Sequence, residues 1–293
     1  MIEKRKKGIR CILVLTMILS LLLTANACNT GKSNVLTQYP DETGNQGMFY
    51  TVLTSEGLIV VDGGWSENAD YVRQVIHSYG NEVDAWILTH PHPDHIGAFN
   101  EIYENPNGIT IREIYTIDLD YEGYRSVAQS WDDFPTFERF VNLTKDEGVH
   151  YLHEGDELEL CGLQMQVFSA YSEEISEFSA DYANQGSLVF RLAGEQESIL
   201  FCSDVHGDVI SEKLADAYGS ELESTYIQMG HHGNNSITQI LMECVKPEIA
   251  FFDAPEWLVT GADYDTGQNI KMAEQLGAKV YTYQTAPNTV DFR

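Results

Sequence analysis

The segment Thr89-His90-Pro91-His92-Pro93-Asp94-His95-Ile96-Gly97 sets three histidines and a carboxylate within six positions. It follows a short apolar run, Val83–Thr89, that reads as a strand. It leads into a helix predicted over 95–104, so the ligand-type side chains stand at a strand end, where a loop can aim them at one point. Imidazole and carboxylate together suit zinc, and also manganese or iron. His90 and His92, two apart with a proline between them, can face one metal. Asp94 and His95, at the turn into the helix, can face a second nearby. A surface loop that merely scavenges metal is the plainer reading, and the density of ligands weighs against it.

The flanking pattern is that of a packed α/β (α+β) protein. Phe49–Thr54 and Leu58–Asp62 read as strands joined at Ser55-Glu56-Gly57, and Asn68–Tyr79 has helical spacing of apolar residues. Ile111–Ile117, Glu157–Leu160, Leu163–Phe168, Ser187–Leu192, Ser198–Cys202, Thr225–Gln228, Ile249–Phe252 and Lys279–Tyr283 read as further strands. Helices are predicted over Pro135–Glu147, Val209–Tyr218, Ile237–Val245 and Gln268–Leu276. Strands outnumber helices and fall partly into hairpins, which argues against a purely parallel doubly wound sheet.

The metal-type segment matches the HxHxDH signature of the metallo-β-lactamase superfamily, and the likeness extends along residues 46–285. Leu58–Gly64 resembles the family's early strand ending in aspartate and glycine. Ile199–Asp204 resembles the strand that delivers a bridging aspartate, and Ile227–Gly233 the segment carrying the last histidine. The stretches Glu154-Gly155-Asp156, Asn184–Phe190 and His231-His232-Gly233 with Lys246-Pro247-Glu248 are similar to the competence-type (DNA-internalisation) hydrolase domains and their free-standing relatives.

The resemblance implies a four-layer αββα sandwich and two divalent ions, zinc first, with manganese or iron as alternatives. One ion falls to His90 and His92; the other falls to Asp94, His95 and a later histidine, with Asp204 bridging. His231 is the preferred later ligand because it follows Gly230, and His232 is then the proton donor; the two can be exchanged. Asp94 orients the nucleophile while ligating. Where lactamase-type members place a third histidine, this chain reads Gly186-Ser187, so Ser187, Asn184 or water is expected to complete the first site. The remaining histidines His77, His150 and His153 read as structural or exposed, and His206 as a residue able to approach the cleft.

The chain's start carries a different message. Met1–Arg10 holds five basic residues, Cys11–Leu23 is an apolar run of 13, and Thr24–Cys28 is rich in small residues. That order describes a secretory signal over 1–27, too short to span a bilayer of roughly 30 Å. Ala27-Cys28 resembles a lipoprotein lipobox, so Cys28 is the expected lipidation site, with simple cleavage as the alternative. Residues 28–45 then read as a flexible tether and 46–293 as the hydrolase domain. From residue 28 onward lie 12 of the 17 Lys+Arg and 44 of the 45 Asp+Glu, a formal charge of −32. Such a surface disfavours long nucleic acid and anionic membrane faces. Cys161, Cys202 and Cys244 sit in apolar segments and read as buried small residues rather than a disulfide framework.

These features point to metal-assisted hydrolysis by an exported, tethered enzyme, in which paired cations lower the pKa of a water to make hydroxide. A phosphoester or phosphodiester, small or in the cell envelope, is the favoured substrate. Lactam or lactone hydrolysis and a non-catalytic binding protein on the same fold are the alternatives. The aromatic, acidic stretch 120–150 is expected to act as a lid.

Overall fold

In the computed structural model, residues 34–145, 148–283 and 286–293 are described. The first sheet holds β1 (Asn34–Gln38), β2 (Phe49–Leu53), β3 (Leu58–Asp62), β4 (Glu82–Ile87), β5 (Thr110–Ile117) and β6 (Val149–Leu152). The second holds β7 (Glu157–Leu160), β8 (Leu163–Ser169), β9 (Val189–Ala193), β10 (Ser198–Phe201), β11 (Tyr226–Gln228), β12 (Ile249–Phe251) and β13 (Lys279–Tyr281). The last strand, β14 (Asn288–Phe292), returns to the first sheet beside β1. Each sheet therefore has seven strands. In each, a run of antiparallel pairs gives way to parallel pairs: β3-β4-β5-β6 in one, β10-β11-β12-β13 in the other.

Parallel neighbours need crossovers, and helices supply most of them. Between β3 and β4 lies α1 (Ala69–Tyr79); between β4 and β5 lies α2 (Pro93–Glu104); α3 (Tyr121–Val127) and α4 (Phe134–Thr144) precede β6. In the second half, α5 (Ile175–Phe178) and α6 (Tyr182–Gln185) precede β9, and α7 (Gly207–Tyr218) precedes β11. Next, α8 (Gln239–Val245) precedes β12, and α9 (Glu256–Thr260) with α10 (Thr266–Gln275) precedes β13.

Strand alternation decides which side chains meet. On β10, Ile199 and Phe201 join the core between the sheets, while Leu200, and Cys202 just past the strand, join Ile210 and Leu214 of α7. Across the sheets, Tyr50 meets Phe201 and Phe251 edge-on, with ring centroids 5.3 and 6.1 Å apart. Each such fully buried ring contributes roughly 1.5–3 kcal/mol. The result is the four-layer αββα sandwich.

Three differences from the sequence reading follow from packing. The tether expected over 28–45 does not hold for its second half: Asn34–Gln38 pairs with both β2 and β14, and Leu36 is fully buried. Polar spacing hid this strand, because only Val35 and Leu36 carry an apolar signal. Likewise β14 has too few apolar residues to be seen alone. The expected lid is largely a fixed wall, since Phe137 and Phe140 of α4 and Tyr124 of α3 are buried in the core. Among the described residues of this stretch, those that line the cleft are Ser130, Trp131 and Asp133, in the turn between those helices. The predicted signal segment and Cys28 lie outside the described residues.

Candidate metal centre

The site forms where the parallel strands of both sheets end, the side of an open α/β sheet where loops converge on ligands. The histidine segment leaves β4; Cys202-Ser203-Asp204 leaves β10; a tight turn, Gly230–Gly233, leaves β11. Pro93 opens α2 at its first position, where a missing N–H costs nothing. Asp94 and His95 are thereby fixed in the first helical turn. A Cβ at Gly230 would meet the Val205 carbonyl oxygen at 2.3 Å, so only glycine lets these two loops touch. Asp62, Ser203, His231 and His232 have φ of 53°, 50°, 49° and 54°. For residues with a side chain this left-handed backbone is strained, and its clustering marks the site.

His90, His95 and Asp204 form one group whose ligand atoms lie within 4.8 Å of one another; Asp94, His95 and His232 form another. Asp204 Oδ2 is 3.8 Å from His90 Nε2, 3.4 Å from His95 Nε2 and 3.3 Å from His232 Nε2. Asp94 Oδ2 is 3.2 Å from His232 Nε2. The opposite ring nitrogens of His90 and His95 are held from behind. His95 Nδ1 lies 2.6 Å from Asp62 Oδ2, which also accepts the Thr89 hydroxyl at 2.7 Å; Asp62 Oδ1 accepts the Thr89 amide at 2.8 Å. With its proton committed to Asp62, Thr89 Oγ1 accepts from His90 Nδ1 at 3.1 Å. Both rings therefore carry hydrogen on Nδ1 and present Nε2 to the cluster.

Among the described residues, His90 Nε2, His95 Nε2, His232 Nε2 and Asp204 Oδ1 are buried without a hydrogen-bond partner. Buried polar atoms are seldom left unpaired. The electrostatics agree. Burial opposes charge on His95, yet Asp204, Asp62 and Asp94 together hold it well above the ordinary imidazole range. Burial opposes charge on His232 too, and Asp204 and Asp94 push it up to about 10. For Asp204 burial favours the neutral acid, but His232 and His95 hold its carboxyl well below the usual carboxylate range. Positive charge is wanted at this point. The donor set, imidazole nitrogens with carboxylate oxygens, fits a divalent cation.

Of the two adjacent histidines, it is His232 that enters the cluster. His231, preferred from sequence, turns Nδ1 to the Asn234 carbonyl oxygen at 2.8 Å and stacks on His206 at 4.9 Å. With two consecutive left-handed residues the second ring swings inward, which spacing alone does not reveal. Ser187 is committed elsewhere: its hydroxyl donates to the Asn184 carbonyl oxygen at 2.8 Å and accepts the Asp204 amide at 3.1 Å. Asn184 lines the cleft with Oδ1 unpaired. His92 turns away from His90 toward Asp132 Oδ1, 2.7 Å from its Nε2. His206 lines the cleft and lies 3.2 Å from Asp181 Oδ2. His77, His150 and His153 lie at the surface against Asn81, Glu113 and Asp156. Asp62, Asp132 and Asp181 carried no role in the sequence reading; only Asp62, ending an apolar strand beside Gly63-Gly64, gave a signal.

Residues 43–154 match the family model described as the metallo-beta-lactamase superfamily. The matched segment is less than half of the chain; it carries the histidine run and ends before Asp204 and His232, and over it the chain is similar to that superfamily. Solved structures with a similar fold include the metallo-β-lactamase fold protein YhfI from Bacillus subtilis, with 12% identity, a TM-score of 0.55, and coverage of 88% of this chain and 100% of that one. A diphosphatase of the PhnP family shares 13% identity at a TM-score of 0.50, over 89% of this chain and 98% of that one. CmlA, a diiron β-hydroxylase from Streptomyces venezuelae, shares 11% identity at a TM-score of 0.54, over 89% of this chain and 54% of that one. No curated protein matches the sequence. At such identities the likeness is one of fold, and the chemistry of this chain must be argued from its own residues.

Proposed function

We propose that the chain hydrolyses a phosphodiester in a two-cation site. The observation that carries this is the cleft wall. The cleft, about 650 Å³, is lined by Trp65, Trp131, Asp94, Asp133, Asp181, Asp204 and the site histidines, and none of the lining residues is Lys or Arg. A bicyclic lactam carries its carboxylate beside the scissile ring, where it needs a cationic partner that this wall lacks. A phosphodiester carries its charge on the scissile group itself. Ser187, standing where lactamase-type members place a histidine, points the same way.

His90, His92, Asp94, His95, Asp204 and His232 would hold the cations. When bound, such ions lower the pKa of a water and stabilise charge on the phosphoryl oxygens. The chain's own groups do the rest. Asp62 and Thr89 fix His95 and His90 in the ligating tautomer. Asp94, at the cleft floor, orients the attacking water. His232, beside Asp94 and Asp204, would be taken up as a ligand, so proton transfer falls to His231. Its Nδ1 donates to Asn234, which leaves Nε2 free to take a proton. Trp65 and Trp131 flank the opening and exclude water from the leaving group.

The test is a substrate panel: an aryl phosphodiester, a phosphomonoester, a chromogenic lactam and a lactone, each with the metal-loaded protein. Turnover is expected on the diester above all. Lactam turnover alone would keep the fold and overturn the substrate class. The basic, apolar and small-residue order over 1–28 supports export and lipid anchoring at Cys28. Cys28→Ser should then move the protein from the membrane fraction to the soluble one.

A further inference from the structure

We propose that Asp132 and Asp181 complete the first cation position, in place of the histidine that this chain lacks at Ser187. The inference rests on the two-cation reading above. His92, Asp132 and Asp181 come from three distant segments: the metal loop, the turn between α3 and α4, and the approach to α6. Their ligand atoms nevertheless lie within 4.8 Å of one another. His92 Nε2 is 2.7 Å from Asp132 Oδ1, and both side chains are more than nine-tenths buried, at 8% and 7% exposure.

Each carboxylate is aimed by its own loop. Asp132 Oδ2 accepts the Gln129 amide, which turns Oδ1 to His92. Asp181 Oδ1 accepts the Asn184 amide at 3.2 Å, and Oδ2 accepts the Asn184 side-chain amide at 3.1 Å. Asp132 has His92 beside it and Asp181 has His206, 3.2 Å from its Oδ2; with no Lys or Arg lining the cleft, a bound cation is the stronger counter-charge for the two carboxylates.

The second observation lies next door. His90 is fully buried with Nε2 unpaired, and its ring centroid is 4.7 Å from that of His92. Asp204 Oδ1, also buried, is unpaired beside it. An ion held by His92, Asp132 and Asp181 would sit beside the separate group of His90, His95 and Asp204, whose unpaired atoms call for the other ion. Ser187 cannot serve, since its hydroxyl already bonds Asn184 and the Asp204 amide. Substituting carboxylate oxygen for a third imidazole hardens the site, favouring manganese relative to zinc when compared with a three-histidine position.

The experiment is a Co²⁺ titration of the metal-free protein, read by visible absorption and by elemental analysis after desalting. It compares wild type, Asp181→Asn, and Asp132→Asn/Asp181→Asn. Wild type should hold two ions per chain and the double variant one. The single variant should bind its weaker ion on the order of 10–100-fold less tightly, the range for lost metal-supporting groups. Equal melting temperatures without metal show that the variants fold; Asp181 is partly exposed, so its variant keeps the test open if the double variant does not. Two ions at wild-type affinity in both variants would overturn the proposal. A wild-type protein that binds none would instead overturn the two-cation reading beneath it.

Discussion

His95 is held between two carboxylates: Nδ1 lies 2.6 Å from Asp62 Oδ2, and Nε2 lies 3.4 Å from Asp204 Oδ2. Asp62 is fully buried and also accepts both the amide and the hydroxyl of Thr89. It therefore sets one ligand's tautomer and ties the ends of β3 and β4 together. Asp62→Ala should weaken metal binding by about 10–100-fold. It should also lower stability by about 1–3 kcal/mol, because the Thr89 amide loses its acceptor. Competition with a chromogenic chelator and urea unfolding measure the two effects separately. Unchanged metal affinity would contradict this role.

The two adjacent histidines should separate cleanly. His232→Ala removes a ring placed 3.2 and 3.3 Å from Asp94 and Asp204, so metal content should fall and turnover with it. His231→Ala should keep its metal and lose rate, on the order of the 10²–10⁴-fold typical of a proton-transfer group. Elemental analysis of both variants decides the matter, and the reverse pattern would restore His231 as the ligand.

Trp131 is 69% exposed at the cleft rim, beside Asp132. A large exposed aromatic at the mouth of a cleft is suited to gripping a leaving group. Trp131→Ala should reduce kcat/KM for a bulky diester by roughly tenfold, the value of about 1.4 kcal/mol, chiefly through KM. Metal content should not change. Equal losses for bulky and small diesters would argue against this contact.

Asp253 gives a pH signature outside the ligands. Burial pushes its carboxyl up from 3.8 to about 6, against the opposing effects of His232, Gln38, Tyr50 and Gln228. Because the folded value exceeds the unfolded one, the folded state binds the extra proton between these values. That contribution is full below about pH 3.8 and is lost as pH rises through about 6, a fall of about 3 kcal/mol. Asp253→Asn cannot titrate, so the difference in melting temperature between variant and wild type should change across that window and stay flat above it. The variant also sets an amide donor against Gln38, Tyr50 or Gln228, which costs stability at every pH. Parallel pH profiles for the two proteins would sink this assignment.

The parts of this molecule that announce themselves in sequence are those with a local signal. Apart from β6 (Val149–Leu152), which has only two aliphatic residues, the strands from Phe49 to Phe251 are apolar enough to read singly, and the ligand run after β4 carries its chemistry in consecutive residues. What stayed hidden depends on contacts distant in sequence. Asn34–Gln38 becomes a strand because β2 and β14 flank it, not from its own composition. His232 replaces His231 because two successive residues take left-handed backbone. Asp132 and Asp181 reach His92 only when the turn before α4 and the loop before α6 fold over the cleft. One acidic residue among 45 gives no sign of such a role.

The most direct test is to titrate metal-free protein with Zn²⁺ or Mn²⁺ while following hydrolysis of an aryl phosphodiester, alongside Asp204→Asn. The account predicts no turnover without metal, a rise that completes near two ions per chain, and none in the variant. Turnover in the presence of excess chelator, or none at two ions per chain, would contradict it.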